Sequence, residues 1–460
     1  MIASDNALVA AWRETLARRA DQPAIFASDG AVLRRFQEIE DEALTLATRV
    51  REFSPGSVIA LQIGNSPSWP ALLLALFRAA LVPLPLGRHM ADAELGAALE
   101  AAGALALVRI GDNDVAFTRR VPVAREVSAD FLKLTSGTTA APRAIRFRAE
   151  QLVADCTNIC ETMGITESDV NYGVIPMSHS YGFSNLLTPL LCRGVPLVAT
   201  EERLPRAILE GLARTGATVF PGMPLFFQHL GESGTVPELR QLRLCISAGA
   251  PLTRDVAERF AQKFGRRIHA FYGSSECGGI TYDTAAEADA EEGFVGNSMH
   301  GVTITHRGDG ESIEVRSAAV GDGYFPNDEP ATLGGGRFVP GDLVRCTERG
   351  LVLAGRASDV INIAGRKLNP LEVEQRLLTC PGVRQAFVFG IPSRIRGEEP
   401  VACIAGEGIE REAVSRFCQG TLSPWQMPRD FWIVPGIPAN ERGKVNRRAL
   451  AEAYLKSIAP

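Results

Sequence analysis

Short apolar strands alternate with helical patterns through the first two-thirds of the chain, and each strand closes on a glycine or proline turn. SVIALQI (57–63), a helix over 70–80 and ALALVRI (104–110) set the theme. It returns in ATVFPG (217–222), LRLCISAG (242–249), a helix from Thr253 with Val256, Phe260 and Phe264 at four-residue spacing, and IHAFYG (268–273). Strand–helix–strand order with these periods predicts a layered α/β domain. Such sheets bind ligands where their strands end, so the turns are the places to look for chemistry. From Gly293 to Leu353 the pattern becomes short strands and turns with no long helix, as in ESIEVRS and GRFVPGDLVRC, which predicts a β-rich subdomain. After Gly355 another mixed unit follows: a helix over 370–379, strands QAFVFGI and VACIAG, a helix near 410–420 and a last helix from Arg447.

Composition narrows the function classes. The 48 basic residues against 53 acidic ones leave a formal charge of −5, with no excess of base for a phosphate backbone, so duplex nucleic acid is excluded as the main partner. The longest apolar stretch, Trp69 to Phe77, is cut by Arg78 and then by Pro83 and Pro85. It falls well short of the roughly 20 residues a membrane helix needs and predicts a buried helix with no membrane span. The N-terminal stretch lacks the basic-then-apolar pattern of a secretory leader, and nine scattered cysteines form neither a zinc pattern nor a disulfide framework. A reducing cytoplasm is the expected home. Cys156 and Cys160 would share a helix face, and packing is the reading that fits them.

LKLTSGTTAAPRAIRF (132–147) places small hydroxylic residues and a glycine, Thr135, Ser136, Gly137, Thr138 and Thr139, between a short strand and the basic Arg143. Exposed amides and hydroxyls of this kind suit a phosphate cradle, although the spacing is not that of the common P-loop. On local composition alone, a polar surface turn fits equally well.

The segment resembles the phosphate loop of the acyl-adenylating superfamily, which includes acyl-CoA synthetases, aryl-acid ligases and nonribosomal-peptide adenylation domains. Further segments match that family in order: IPMSHSYGF (175–183), ISAGAPL (246–252), FYGSSECGG (271–279), GFVGNSMHG (293–301), GDLV (341–344), GRASDVINIAGRKLNPLEVE (355–374), VFGIPSRIRGEEPVA (388–402) and PANERGKVNRRAL (438–450). The resemblance implies a large N-terminal adenylation domain over 1–357, and a small mobile α+β domain over 358–460 that carries a catalytic lysine.

It also implies roles for individual residues. Thr135, Ser136, Gly137, Thr138, Thr139 and Arg143 would hold the ATP phosphates, Gly273 and Ser275 would also bind ATP, and Glu276 would bind Mg²⁺. Tyr272 would pack on adenine, with Gly249, Ala250 and Pro251 along its other side. Asp342 and Arg356 would bind the ribose. Lys444 would bridge the substrate carboxylate and the α-phosphate, and His179 would border the acyl site. Ser358 would be the hinge, where relatives carry Asp or Lys, and Gly365 would let pantetheine pass.

Tyr181, Phe183, Phe220, Met223, Phe226, Cys277, Gly278 and Gly279 make an apolar pocket wall suited to an aryl or aliphatic acid. No acidic residue stands in MSHSYGF to pair an amino group, which disfavours amino acids. The implied activity is ATP-dependent activation of a small carboxylic acid to acyl-AMP. The acyl group would then pass to coenzyme A or to the phosphopantetheine of an acyl carrier protein. Acyl transfer to a carrier protein only is one alternative. The other, motivated by Ala140 in place of the family's glycine and by Ser358, is a nucleotide-binding regulatory protein.

Overall fold

The computed structural model describes residues 6–111, 115–121, 127–135, 143–234, 236–284, 291–308, 311–364, 366–393, 395–439 and 445–458. Of the residues singled out above, Ser136, Gly137, Thr138, Thr139, Ala140, Gly365 and Lys444 lie outside them. The chain divides into two units. The first comprises Met1–His306, Ile313–Pro340 and Thr347–Val352, and the second comprises Arg307–Ser312, Gly341–Cys346 and Leu353–Pro460. Asp342 and Arg356 therefore group with the C-terminal unit.

In the first unit, Pro23–Phe26, Leu197–Ala199, Asn171–Gly173, Val219–Gly222, Leu244–Ser247 and Ile268–Ser274 run parallel in that spatial order. The antiparallel strands Gly278–Tyr282 and Phe294–Ser298 extend the sheet. Parallel strands covered on both faces read as continuous apolar runs, and the fully buried Val219–Gly222 and Leu244–Ser247 do so. The helix predicted over 70–80 runs from Trp69 to Arg78 and buries every residue from Trp69 to Phe77. Pro70 is tolerated there because the first helical turn needs no amide donor. It joins strands Val58–Gln62 and Val82–Pro85 of a second, smaller sheet, in which they pair in parallel.

A third sheet carries the segment expected to cradle phosphates. Phe131–Leu134 and Ala144–Phe147 pair as an antiparallel hairpin, and Gly323–Phe325 adds to its edge. The flanks of this loop are thus two strands rather than a strand and a helix. Between Phe264 and Pro370 the described residues form strands, turns and one short 3₁₀ turn, as the β-rich pattern predicts.

The second unit places Val383–Ser393 and Gly397–Gly406 side by side as a long hairpin, with Ile361–Ile363 and Asp430–Ile433 also paired to Gly397–Gly406. Strand alternation divides its core in two. Ala402 and Ile404 face Val373, Leu377, Val414 and Cys418 of the helices Pro370–Leu378 and Arg411–Thr421. Val401, Cys403 and Ala405 face Leu450 and Tyr454 of the helix Arg447–Ser457.

A buried ion cluster locks these layers. Arg447 forms an ion pair with the buried Glu374, hydrogen-bonds the Val388 carbonyl at 3.1 Å, and donates to Asp359 at 3.0 Å. Glu374 also accepts the Val388 amide at 2.6 Å. Burial pushes the Glu374 carboxyl up, and Arg447 opposes that shift.

Removing one member of such a cluster strands the other charge in the core. Glu374→Ala is expected to destabilise the second unit by about 3–5 kcal/mol in urea unfolding. Arg448→Ala, which loses only an exposed pair with Glu452, is expected to cost under about 0.5 kcal/mol.

Candidate active site

Three consecutive parallel strands of the first unit end in residues expected to bind ligand. Val219–Gly222 leads to Met223, Leu244–Ser247 to the exposed turn of Gly249, Ala250 and Pro251, and Ile268–Ser274 to Ser275 and Glu276. A ligand crossing these carboxyl ends meets all three turns, as parallel sheets favour. Met223 lies beside Gly249: a Cβ on Gly249 would sit 3.9 Å from the Met223 Cγ. Tyr272 is buried on its strand, and the neighbouring Gly273 is exposed.

The phosphate-loop neck is closed by the Thr135 amide and hydroxyl, which both donate to the Arg143 carbonyl at 2.9 and 3.1 Å. The Arg143 guanidinium lies 3.9 Å over the ring of Tyr324 and pairs with Glu329 at 2.5 Å. The Tyr324 hydroxyl donates to Glu276 at 3.1 Å, and the Ser274 hydroxyl donates to the other Glu276 oxygen. Burial, reinforced by the Glu276 charge, pushes the Tyr324 phenol up, so it stays a proton donor at neutral pH. The structure thus brings Arg143, Glu276 and Ser275 together and adds Tyr324, which motif reading had passed over.

His179 caps the short helix Ser180–Gly182, its Nδ1 accepting the Tyr181 amide at 3.3 Å. An accepting Nδ1 leaves the ring proton on Nε2. The adjoining Ser180 hydroxyl bonds Ser275 at 2.8 Å, which ties the histidine segment to the Glu276 turn. Asn65, also missed in the sequence, holds that segment from below. Its amide nitrogen lies 2.9–3.0 Å from the carbonyls of Gly173, Ile175 and Thr200, which share its two N–H groups, and its oxygen accepts the Met177 amide at 2.9 Å. Only the isolated asparagine of IGNSPSW could have signalled it.

The expected pocket wall divides into two layers. Tyr181 directs its hydroxyl at the Ile246 carbonyl, 3.0 Å away, and Met223 and Phe226 are nearly buried. Phe183 and Phe220 lie deeper, fully buried: Phe183 packs 4.5 Å from Phe131, and Phe220 packs 5.3 Å from Phe227. Cys277, Gly278 and Gly279 are buried too. Burial raises the Cys277 thiol well above its usual range.

Behind this wall stand two buried groups of opposite charge, Lys133 and Asp155. Lys133 is on the strand that leads into the phosphate loop, facing the same way as Phe131, and its ammonium lies 4.6 Å from the Phe147 ring and 5.6 Å from Phe183. Burial lowers its pKa, and the charge of the buried Asp155 is the largest opposing effect. Asp155 accepts the Ser184 hydroxyl at 2.6 Å and the Gly279 amide at 3.0 Å. Gly278 has φ +71°, and a Cβ there would lie 2.0 Å from the Asp155 Oδ1, so this approach requires glycine.

In the second unit Arg356 donates to Asp342 at 2.9 Å. Ser358 is in the 3₁₀ turn Ala357–Asp359, exposed, and donates to Asp359 at 3.1 Å. Among the described residues, no group of three or more His, Cys, Asp or Glu side chains is placed to hold a metal. A lone Glu276 is the donor set expected for a Mg²⁺ ion held mostly by phosphate and water oxygens.

The profile of AMP-binding enzymes matches residues 12–323, and that of their C-terminal domain matches residues 372–444. The chain belongs to the AMP-binding enzyme family. It is similar to a probable CoA ligase of Humulus lupulus, at 28% identity over 99% of this chain and 98% of that protein. An oxalate–CoA ligase of Arabidopsis thaliana is 26% identical over 92% and 93%. Among solved structures, ATP-bound MatB from Rhodopseudomonas palustris superposes with a TM-score of 0.85 at 24% identity, covering 98% of this chain and all of that one. The anthranilate CoA ligase AuaEII in complex with anthranoyl-AMP gives 0.83 at 20% identity, covering 98% of each chain. This AMP-binding enzyme therefore has the expected architecture, a large layered N-terminal domain with a β-rich part and a small C-terminal α+β domain. No helix among the described residues is long and apolar enough to cross a membrane.

Asp155→Asn keeps one acceptor oxygen, turns an NH2 toward the place of the other and removes the negative charge that most favours ionised Lys133, and is expected to cost about 1–3 kcal/mol in urea unfolding. The doubly neutral Lys133→Met/Asp155→Asn enzyme should recover part of that loss. A double variant that is simply additive would show that the two charges do not act as a pair.

Proposed function

We propose that this AMP-binding enzyme activates a small carboxylic acid with ATP and transfers the acyl group to coenzyme A. The observation that carries the reading is the approach of Arg143 and Tyr324, from the antiparallel hairpin sheet, to Glu276 at the end of a parallel strand, with Ser275 bonded to the Ser180 beside His179, in a chain similar along nearly its whole length to CoA ligases. In the first step a carboxylate oxygen attacks the α-phosphorus of ATP, acyl-AMP forms and pyrophosphate leaves. In the second, the thiolate attacks the acyl carbonyl and AMP leaves. The first step joins two anions, so positioning and charge neutralisation do most of the work.

Arg143 and the loop residues Thr135, Ser136, Gly137, Thr138 and Thr139 hold the phosphates. Glu276 would hold Mg²⁺, whose charge would offset that of the phosphoryl oxygens. Tyr272, Gly273 and the Gly249–Ala250–Pro251 turn take the adenine, and Asp342 with Arg356 takes the ribose. Lys444 brings its ammonium to both reacting anions and leaves for the second step, as the C-terminal domain turns about Ser358 and Gly365 admits the pantetheine.

Tyr181, Met223, Phe226 and the Cys277–Gly279 backbone bound the acid pocket, with Phe183 and Phe220 behind them, which suits an apolar aryl or aliphatic acid. A carrier-protein phosphopantetheine is the second acceptor to test, and the cytoplasm is where free coenzyme A and ATP would meet the enzyme.

Carboxylate-dependent ATP–pyrophosphate exchange over a panel of aryl and aliphatic acids tests the first step. Folded protein that binds ATP yet exchanges with none of them would overturn the reading in favour of a regulatory nucleotide-binding role. Lys444→Ala is expected to lower acyl-AMP formation by about two orders of magnitude or more, while thioester formation from supplied acyl-AMP falls little. Equal losses in both steps would remove the assigned role. Offering coenzyme A and a phosphopantetheinylated carrier protein side by side identifies the acceptor.

A further inference from the structure

Tyr324 touches two residues of the candidate site, Arg143 and Glu276, and its two ends do so through different chemistry. It stands on the strand Gly323–Phe325, directly opposite Ile145 of the hairpin whose loop carries the hydroxyl cluster, so its position follows that hairpin. The ring is 2% exposed and lies 3.9 Å beneath the Arg143 guanidinium. A planar, weakly hydrated guanidinium stacks on an aromatic face in a way an ammonium does not. Glu329 takes one edge of the same guanidinium, which leaves its orientation set by the ring on one side and a carboxylate on the other. At the far end, the hydroxyl reaches one Glu276 oxygen at 3.1 Å while Ser274 reaches the other, so the carboxylate cannot rotate freely.

We propose that Tyr324 is a two-armed positioning residue for acid activation, its ring fixing the phosphate-binding Arg143 and its hydroxyl fixing the Glu276 carboxylate. The assignment rests on the function proposed above and deepens it by separating two contributions within one side chain. The ring arm acts on ATP affinity, because it prepares Arg143 before the nucleotide arrives. The hydroxyl arm acts on turnover, because it orients the carboxylate that would hold Mg²⁺ against the phosphoryl oxygens.

The test compares Tyr324→Phe with Tyr324→Leu. Phenylalanine keeps the stack and loses the hydroxyl: ATP affinity by titration calorimetry should stay within about twofold of the parent, while kcat for pyrophosphate exchange falls about tenfold, the size expected for one hydrogen bond to a charged group. Leucine loses both, and should in addition weaken ATP binding by about three- to fivefold. In the Tyr324→Leu background, Arg143→Lys should weaken ATP no further, whereas in the parent it should cost a similar three- to fivefold. A Tyr324→Phe enzyme with parental kcat, or Phe and Leu variants that change KM and kcat alike while only their melting temperatures differ, would reduce Tyr324 to a packing residue and overturn the proposal. If no acid supports exchange in the parent, the proposed reaction fails on its own; the calorimetric series still decides the ring arm, with equal ATP affinity in the Phe and Leu variants counting against it.

Discussion

Three segments of the candidate site in the first unit meet at one buried carboxylate. Asp155, on the helix Ala149–Met163, meets the segment after His179 through Ser184, the turn after Glu276 through the Gly279 amide, and the phosphate-loop strand through the charge of Lys133. Each of these segments carries a residue of the candidate site. A carboxylate taken out of water is costly unless its partners are complete, so wherever Asp155 is satisfied the three segments share one geometry. The glycine at 278 is part of the same constraint, since any side chain there would occupy the space of the Asp155 oxygen.

The second unit has a comparable anchor of opposite sign. Arg447 begins the helix that follows the segment of Lys444, and it binds Glu374 in the core and Asp359 beside Ser358. One guanidinium therefore ties the proposed lysine segment and the proposed hinge to the same sheet.

Motif spacing made much of the site legible. Glu276 and Arg143 stand beside turns, and Asp342 and Arg356 at strand ends, whose neighbouring glycines and hydroxyls mark them in the sequence as candidates. Tyr324, Asn65 and Lys133 leave no such trace. Each acts through a partner distant in the chain, Tyr324 on Glu276 and Arg143, Asn65 on the 173–177 segment, Lys133 on Asp155, and one-dimensional pattern carries no record of which strands lie side by side. For the same reason Phe183 and Phe220 read as pocket aromatics, while in the fold their rings pack on Phe131 and Phe227.

The sequence by itself determined the alternation of strands and helices, the β-rich stretch before residue 353, the family and the order of its ligand turns, since hydrophobic period and turn residues are local properties. Only the tertiary structure decided that the phosphate loop hangs from a hairpin, that Arg143 is stacked and its neighbour Tyr324 reaches Glu276, and that Asp342 and Arg356 group with the C-terminal unit. The abundant glycines show the division. Their number is a matter of composition, but whether one serves a left-handed turn or yields space to a buried carboxylate, as at 278, is set by what the fold brings against it.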